Sequence, residues 1–212
     1  MAIDKNKKNL LKAYNMLIYF AGSMIMKEPT EECVIDFWAT GTLKRLPVQS
    51  SNPRFIKAAS ILRESCEDKV LCRSMLRADF SRLFDKNGLY LSPALESAYI
   101  NKITSPVRNS ETAGDFYRAY GWIPESSHNV PDDHLSTELI FLTRLVEKCI
   151  DIDDEPSCRE MKGEIRRFID QHILQWISVW DESVQQNAGT LCYKGISTLI
   201  YACTEDIYSL LS

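Results

Sequence analysis

Apolar residues recur along this chain at intervals of three and four, while the apolar–polar alternation of a half-buried strand is nearly absent. Leu10, Tyr14, Leu17, Ile18, Ala21 and Ile25 share one face of a first helix, from about Asp4 to Met26. Thr30, ahead of Glu31 and Glu32, reads as the cap of a second helix that ends near Gly41. A loop over Pro47–Pro53 leads into Arg54–Cys66 and Glu67–Phe84, two helices or one kinked one. Asp85–Asn109 is the longest irregular stretch, punctuated by Asn87-Gly88, Ser92-Pro93 and Ser105-Pro106. Such long connections are functional or act as linkers. This one predicts a hinge between an N-terminal half, 1–110, and a C-terminal half, 111–212.

The second half continues the helical pattern. Glu111–Tyr120 reads as a short helix ended by Gly121, and Trp122–Val130 as a loop. Leu135, Leu139, Leu142, Val146 and Cys149 then mark a long helix with one core-facing side. After an acidic turn at Asp151–Glu155, Pro156–Ile173 is a helix whose Arg159, Lys162, Arg166 and Arg167 are expected to face water. Leu174–Gln186 carries aromatic residues. The last helix, Thr190–Leu211, lines Cys192, Ile196, Leu199, Cys203, Ile207 and Leu210 along one face. The prediction is an all-α, multi-helix globular bundle of about eight to eleven helices, given typical helix lengths.

The composition is that of a globular protein: 212 residues, 45% hydrophobic and 25% charged. A net charge of −4 argues against non-specific nucleic-acid binding and favours a basic partner. The seven cysteines are scattered without a CxxC pair, so neither zinc nor a redox pair is signalled, and reduced core thiols are expected. Lys5, Lys7 and Lys8 ahead of an apolar run superficially resemble an export signal. Lys12 and Asn15 interrupt that run and no small-residue cleavage site follows, so an amphipathic helix without export or membrane insertion is expected. The Arg166-Arg167 pair lies too deep in the chain to be a twin-arginine signal. Phosphate-cradling glycine loops and serine nucleophile elbows are missing, so no enzymatic chemistry and no cofactor are expected.

The stretch Asn129–Phe141, NVPDDHLSTELIF, concentrates the candidate chemistry. Pro131 suits a helix start. Asp132 and Asp133 are expected in the first turn, where carboxylates meet the positive end of the helix dipole. His134 and Glu138 form an i, i+4 pair that could contribute to a metal site, but no further ligands stand at motif spacing, and the chain has only His128 and His172 besides. Asp79 and Phe80, in ADFSRLF, read from the residues alone as a surface acid beside a core aromatic. Trp122 lies in the loop that leads to the PDDH segment and is a candidate recognition anchor.

The order ADFSRLF, then PDDHL, then HILQWISVW, then a last long helix resembles the TorD/DmsD family, cytoplasmic chaperones of molybdenum-containing reductases exported by the twin-arginine route. The resemblance runs from about Leu76 to the C-terminus. It implies a cytoplasmic protein that binds the signal peptide of a molybdopterin-dependent reductase and holds the apoenzyme until cofactor insertion. It implies that Asp133 and His134 match the family's Asp-His motif and line the peptide groove. Asp132 would share that role, and Asp79 and Phe80 would lie beside it. Trp122 and Glu138 complete the candidate peptide-binding set. Exchange of halves between protomers is implied too, so the chain is expected as a monomer or a domain-swapped dimer. One departure is visible: the family usually has Glu-Pro before its Asp-His, and here Val130 precedes Pro131. The family reading also raises guanine nucleotides as ligands, for which no phosphate-binding glycine loop is present. Two other readings stand beside it: a generic helical adaptor with another partner, and a metal-dependent hydrolase using His134 and Glu138.

Overall fold

In the computed structural model, the described residues are 3–30, 32, 41, 45–65, 69–85, 87–100, 111–124 and 130–212. Among them are nine α-helices and no strand. They are α1 (Lys5–Met26), α2 (Pro53–Glu64), α3 (Lys69–Leu83), α4 (Glu96–Tyr99), α5 (Ala113–Ala119), α6 (Leu135–Asp151), α7 (Glu155–Phe168), α8 (Ile177–Asn187) and α9 (Leu191–Leu210). A π-helical turn, Ile169–Ile173, continues α7. The helix expected after Thr30, and the hinge segment 101–110, lie outside the described residues. No helix among the described residues is long and apolar enough to cross a membrane.

Capping side chains set most helix starts, because the first amides of a helix lack partners within it. Asp4 accepts from the Lys7 amide and Asn52 from the Arg54 amide, with Pro53 at the first helical position of α2. Thr112 and Asp115 form a reciprocal capping box on α5. Asp154 caps α7, and Thr190 caps α9. The last helix is central: α9 packs against α1, α2 and α8, while α6 packs against α1 and α7. Helices from before residue 101 therefore share one core with helices from after residue 110.

Aromatic side chains fill that core in two groups. Trp176, Trp180, Phe84 and Tyr193 pack around the α8–α9 junction in edge-to-face and tilted contacts. Phe116, Tyr117, Phe141 and Phe168 meet where α5, α6 and α7 converge.

Three sequence expectations need correction. The α6 helix begins at Leu135, with His134 as its cap, so Asp132 and Asp133 precede the helix rather than form its first turn. The chain over Pro131–Asp133 is instead a turn pinned to a neighbouring segment, where an antiparallel bridge joins Leu95 and His134. Of the four α7 cations, only Arg159 is fully exposed. Arg166 stacks on Tyr208, and Arg167 lies over Phe116 and pairs with Glu111 and Glu164. Their guanidinium planes cover aromatic surface that water would otherwise meet. Finally, Cys149, Cys158, Cys192 and Cys203 are buried thiols outside any disulfide, but Cys72 is disulfide-bonded to a partner outside the described residues. Spacing along the chain does not report which thiols meet in space.

Candidate functional site

The turn at Val130–His134 is held from both sides. The Glu96 amide donates to the Asp133 carbonyl (3.0 Å) and the Leu135 amide to the Ala94 carbonyl (2.8 Å). The Ser97 amide donates to the Asp133 carboxylate (3.1 Å), and the Tyr117 hydroxyl to the Asp132 carbonyl (2.8 Å). The His134 amide and the Thr137 hydroxyl both donate to the Pro131 carbonyl. Backbone bonds of this number fix where the two aspartates stand.

Beside this turn opens a cavity of about 550 Å³. It is lined by Asp132 and Asp133, by Glu96, Ser97 and Ile100 of the α4 region, by Glu111–Gly114 at the start of α5, and by His172. Four carboxylates face it, and among the described residues its lining carries no lysine or arginine. Arg167 offsets Glu111. Arg118 approaches Gly114, but its guanidinium is bonded to Asp115. Among the described residues no lysine or arginine pairs with Glu96, Asp132 or Asp133. Gly114 makes this geometry possible: a Cβ there would stand 2.8 Å from an Asp132 carboxylate oxygen, closer than two such atoms approach.

His172 enters the cavity wall from the π-helical turn. The Leu174 amide donates to the Ile169 carbonyl (2.8 Å), the five-residue closure that defines such a turn. The extra residue swings His172 against Phe116 and Phe168 and brings its Nδ1 to 3.3 Å from Glu96 Oε2. His172 Nε2 is buried without a hydrogen-bond partner among the described residues.

His134 and Glu138 lie behind the cavity rather than in its lining. His134 Nδ1 accepts from the Ser136 amide (3.2 Å) and meets the Ser136 hydroxyl at 2.6 Å, which is its capping role. Burial pushes its pKa from 6.5 down to about 4, so the ring is neutral at physiological pH. Glu138 is fully buried, and neither carboxylate oxygen has a hydrogen-bond partner among the described residues. Burial first, then the charges of Glu96 and Asp133, raise its pKa well above the ordinary 4.5. Among the described residues no third ligating group joins these two into a metal site.

The other sequence candidates stand apart. Asp79 is buried on α3, and its carboxylate accepts from the Gly189 and Thr190 amides and the Thr190 hydroxyl, all at 2.8–3.0 Å. It thereby braces the start of α9. Phe80 meets Phe84 edge to face. Trp122 is half-buried against Tyr117 and Phe141, and it lines a second cavity on the other side of the Val130–His134 turn. The structure therefore brings together Asp132 and Asp133 with Glu96, Glu111 and His172, three residues that sequence reasoning did not assign to the site. Only His172 had a local signal, its place in the HILQW segment. Glu96 and Glu111 carry none, because packing alone delivers them.

Known proteins place these features in context. The family described as nitrate reductase delta subunit matches residues 52–181. The chaperone protein TorD of Vibrio cholerae serotype O1 is 23% identical over 193 residues, which cover 90% of this chain and 88% of that protein. A Vibrio parahaemolyticus protein also named chaperone protein TorD is 25% identical over 144 residues, 66% of each chain. The match spans both the α2–α3 region and the PDDH turn, and the chain belongs to the nitrate reductase delta subunit family, as a chaperone of the TorD/DmsD type.

Proposed function

We propose that this chaperone acts in the cytoplasm on a molybdopterin-dependent oxidoreductase, binding its twin-arginine signal peptide and holding the apoenzyme until cofactor insertion precedes export. The cavity beside the PDDH turn is the observation that carries this reading. A guanidinium is planar, permanently charged and rich in donors, so a recess walled by Glu96, Asp132 and Asp133, with no lysine or arginine among its described lining residues, complements it. The cavity's volume, about 550 Å³, accommodates more than one such side chain. Binding alone supplies the function, and no bond is made or broken by the protein. The fixed backbone of the turn means that little ordering accompanies binding, which favours affinity.

Titration calorimetry against a synthetic twin-arginine leader peptide tests the reading. Replacing Asp132 and Asp133 together by Asn removes two charges and keeps their shape. Each charge-assisted bond contributes ~1–3 kcal/mol, so affinity should fall at least about tenfold. The salt dependence of binding should weaken as well, because screening acts on the charge attraction that the variant lacks. Unchanged affinity in a normally melting double variant would place recognition elsewhere.

A further inference from the structure

Two thiols meet where α6 hands over to α7. Cys149 lies in the last turn of α6 and Cys158 near the start of α7, and both are fully buried. Their side chains are in hydrogen-bonding contact. Burial first, then this neighbour, pushes the Cys149 thiol from 9.0 up to about 12, against the opposing pull of Lys162 and Lys8, so Cys149 is protonated at neutral pH. Cys192 and Cys203 are buried thiols too, but both lie on α9, where a rise of about 1.5 Å per residue sets them roughly 16 Å apart, beyond disulfide reach.

The turn that joins Cys149 to Cys158 is exposed from Asp153 to Ser157. The Ser157 amide donates to the Asp154 carboxylate (2.9 Å), and Asp153, its side chain 98% exposed, pairs with Lys8 at 3.7 Å. An ion pair so open to water adds little, so local opening of this turn gives solvent access to the thiols at low cost.

We propose that Cys149 and Cys158 are a dithiol–disulfide couple that clamps the α6–α7 hairpin under oxidising conditions. The oxidant is a low-molecular-weight disulfide. When the turn opens, one cysteine thiolate attacks it, forming a mixed disulfide and releasing one small thiol. The other cysteine then displaces the second small thiol as the Cys149–Cys158 bond forms. Two protein S–H bonds and the S–S bond of the reagent give way to one protein S–S bond and two small thiols, so two electrons and two protons leave the protein. The clamp bears on the acidic cavity because one hairpin carries both. The α6 helix starts from the turn of Asp132 and Asp133, and α7 runs into the π-helical turn that holds His172. Two cavity walls therefore stand at the far end of the helices that the disulfide joins. The couple is independent of what the cavity binds.

Thiol mapping tests the couple. Full-length protein, native or in urea, is equilibrated with mixtures of reduced and oxidised glutathione, quenched with acid, alkylated while denatured and digested with trypsin. Lys148 and Arg159 bound one peptide, 149–159, that holds both cysteines. Mass spectrometry finds it alkylated twice as the dithiol, and unalkylated and two hydrogens lighter as the disulfide. By linkage, the native fold should favour this bond over the unfolded chain by the factor with which the bond favours the fold, about thirtyfold or more for an ordinary disulfide. Oxidation should also raise the melting temperature of wild type by about 4–8 °C more than that of a Cys149→Ala, Cys158→Ala double variant. Should that variant fail to fold, the native and urea arms on wild type decide alone. In native protein, Cys192 and Cys203 should stay alkylated throughout. The proposal is overturned if peptide 149–159 of native protein stays doubly alkylated across all mixtures, if it stops at a mixed disulfide, or if native and unfolded chains oxidise alike. Oxidation of Cys192 and Cys203 to the same extent would overturn it as well.

Discussion

Glu138 offers the most direct check on how the site is built. Its carboxyl group is fully buried on α6, its two oxygens lack hydrogen-bond partners among the described residues, and Glu96 and Asp133 lie near enough to oppose its charge. Leucine has a similar volume and no polar atoms. A buried, unsatisfied polar group costs about 1–3 kcal/mol, so Glu138→Leu is expected to stabilise the fold by that amount near neutral pH. For a domain of this size each kcal/mol moves the melting temperature by roughly 2–4 °C. The pH dependence has a definite sign. The folded pKa lies above the unfolded value of 4.5, so above pH 4.5 the folded chain holds a proton that the unfolded chain has released. Stability contributed by this position therefore falls as pH rises, by up to about 1.4 kcal/mol per unit, until the folded group also ionises. The advantage of Glu138→Leu over wild type should be smallest near pH 4 and grow toward pH 8. Glu138→Gln separates the two contributions: it removes the pH-dependent part and keeps an unsatisfied polar group. Urea denaturation of the three proteins across pH 4–8 measures all of this. A Leu variant destabilised by more than 1 kcal/mol at pH 7, or a wild-type difference that is flat with pH, would refute the reasoning and show that Glu138 is ionised and partnered.

Other expectations are equally open to measurement. His134 is neutral when folded, with a pKa of about 4 against 6.5, so its share of stability is intact above pH 6.5 and is lost as pH falls toward 4, by about 3 kcal/mol in all. His134→Asn, which keeps a capping oxygen, should flatten that acid limb in pH-dependent denaturation. Gly114→Ala should leave the unfolding free energy within about 1 kcal/mol of wild type, because alanine favours the helix, yet weaken a twin-arginine peptide in calorimetry by displacing the Asp132 carboxylate. Asp79→Ala removes three bonds at the start of α9 and should lower stability by about 2–3 kcal/mol in thermal melts, with peptide affinity retained in the folded fraction. Denatured without reductant, the chain should titrate two thiols short of its seven, and recover them after reduction.

Local physics made much of the fold legible before any coordinates. The 3.6-residue spacing of Leu10 to Ile25, and of Leu135 to Cys149, is a property of single helices, and both helices are present. Thr190 caps α9, at the position where the sequence reading began the last helix, because a cap bonds amides only two or three residues away. The PDDH segment stood out for the same local reason. What lay beyond the sequence depends on residues distant along the chain. Glu96, Glu111, Asp132 and His172 share a cavity only because a two-residue bridge, a capping box and a π-helical turn deliver them to one place. Asp79, which the family resemblance set beside the peptide groove, is engaged by the backbone of Gly189 and Thr190, more than a hundred residues later. The burial of His134 and Glu138, and hence the opposite directions of their pKa values, follows from α6 packing against α1 and α7. Periodicity and capping act over one helical turn and can be read from a string of letters. Burial, charge proximity and the meeting of thiols are set by the whole packed chain, and only the tertiary structure decided them.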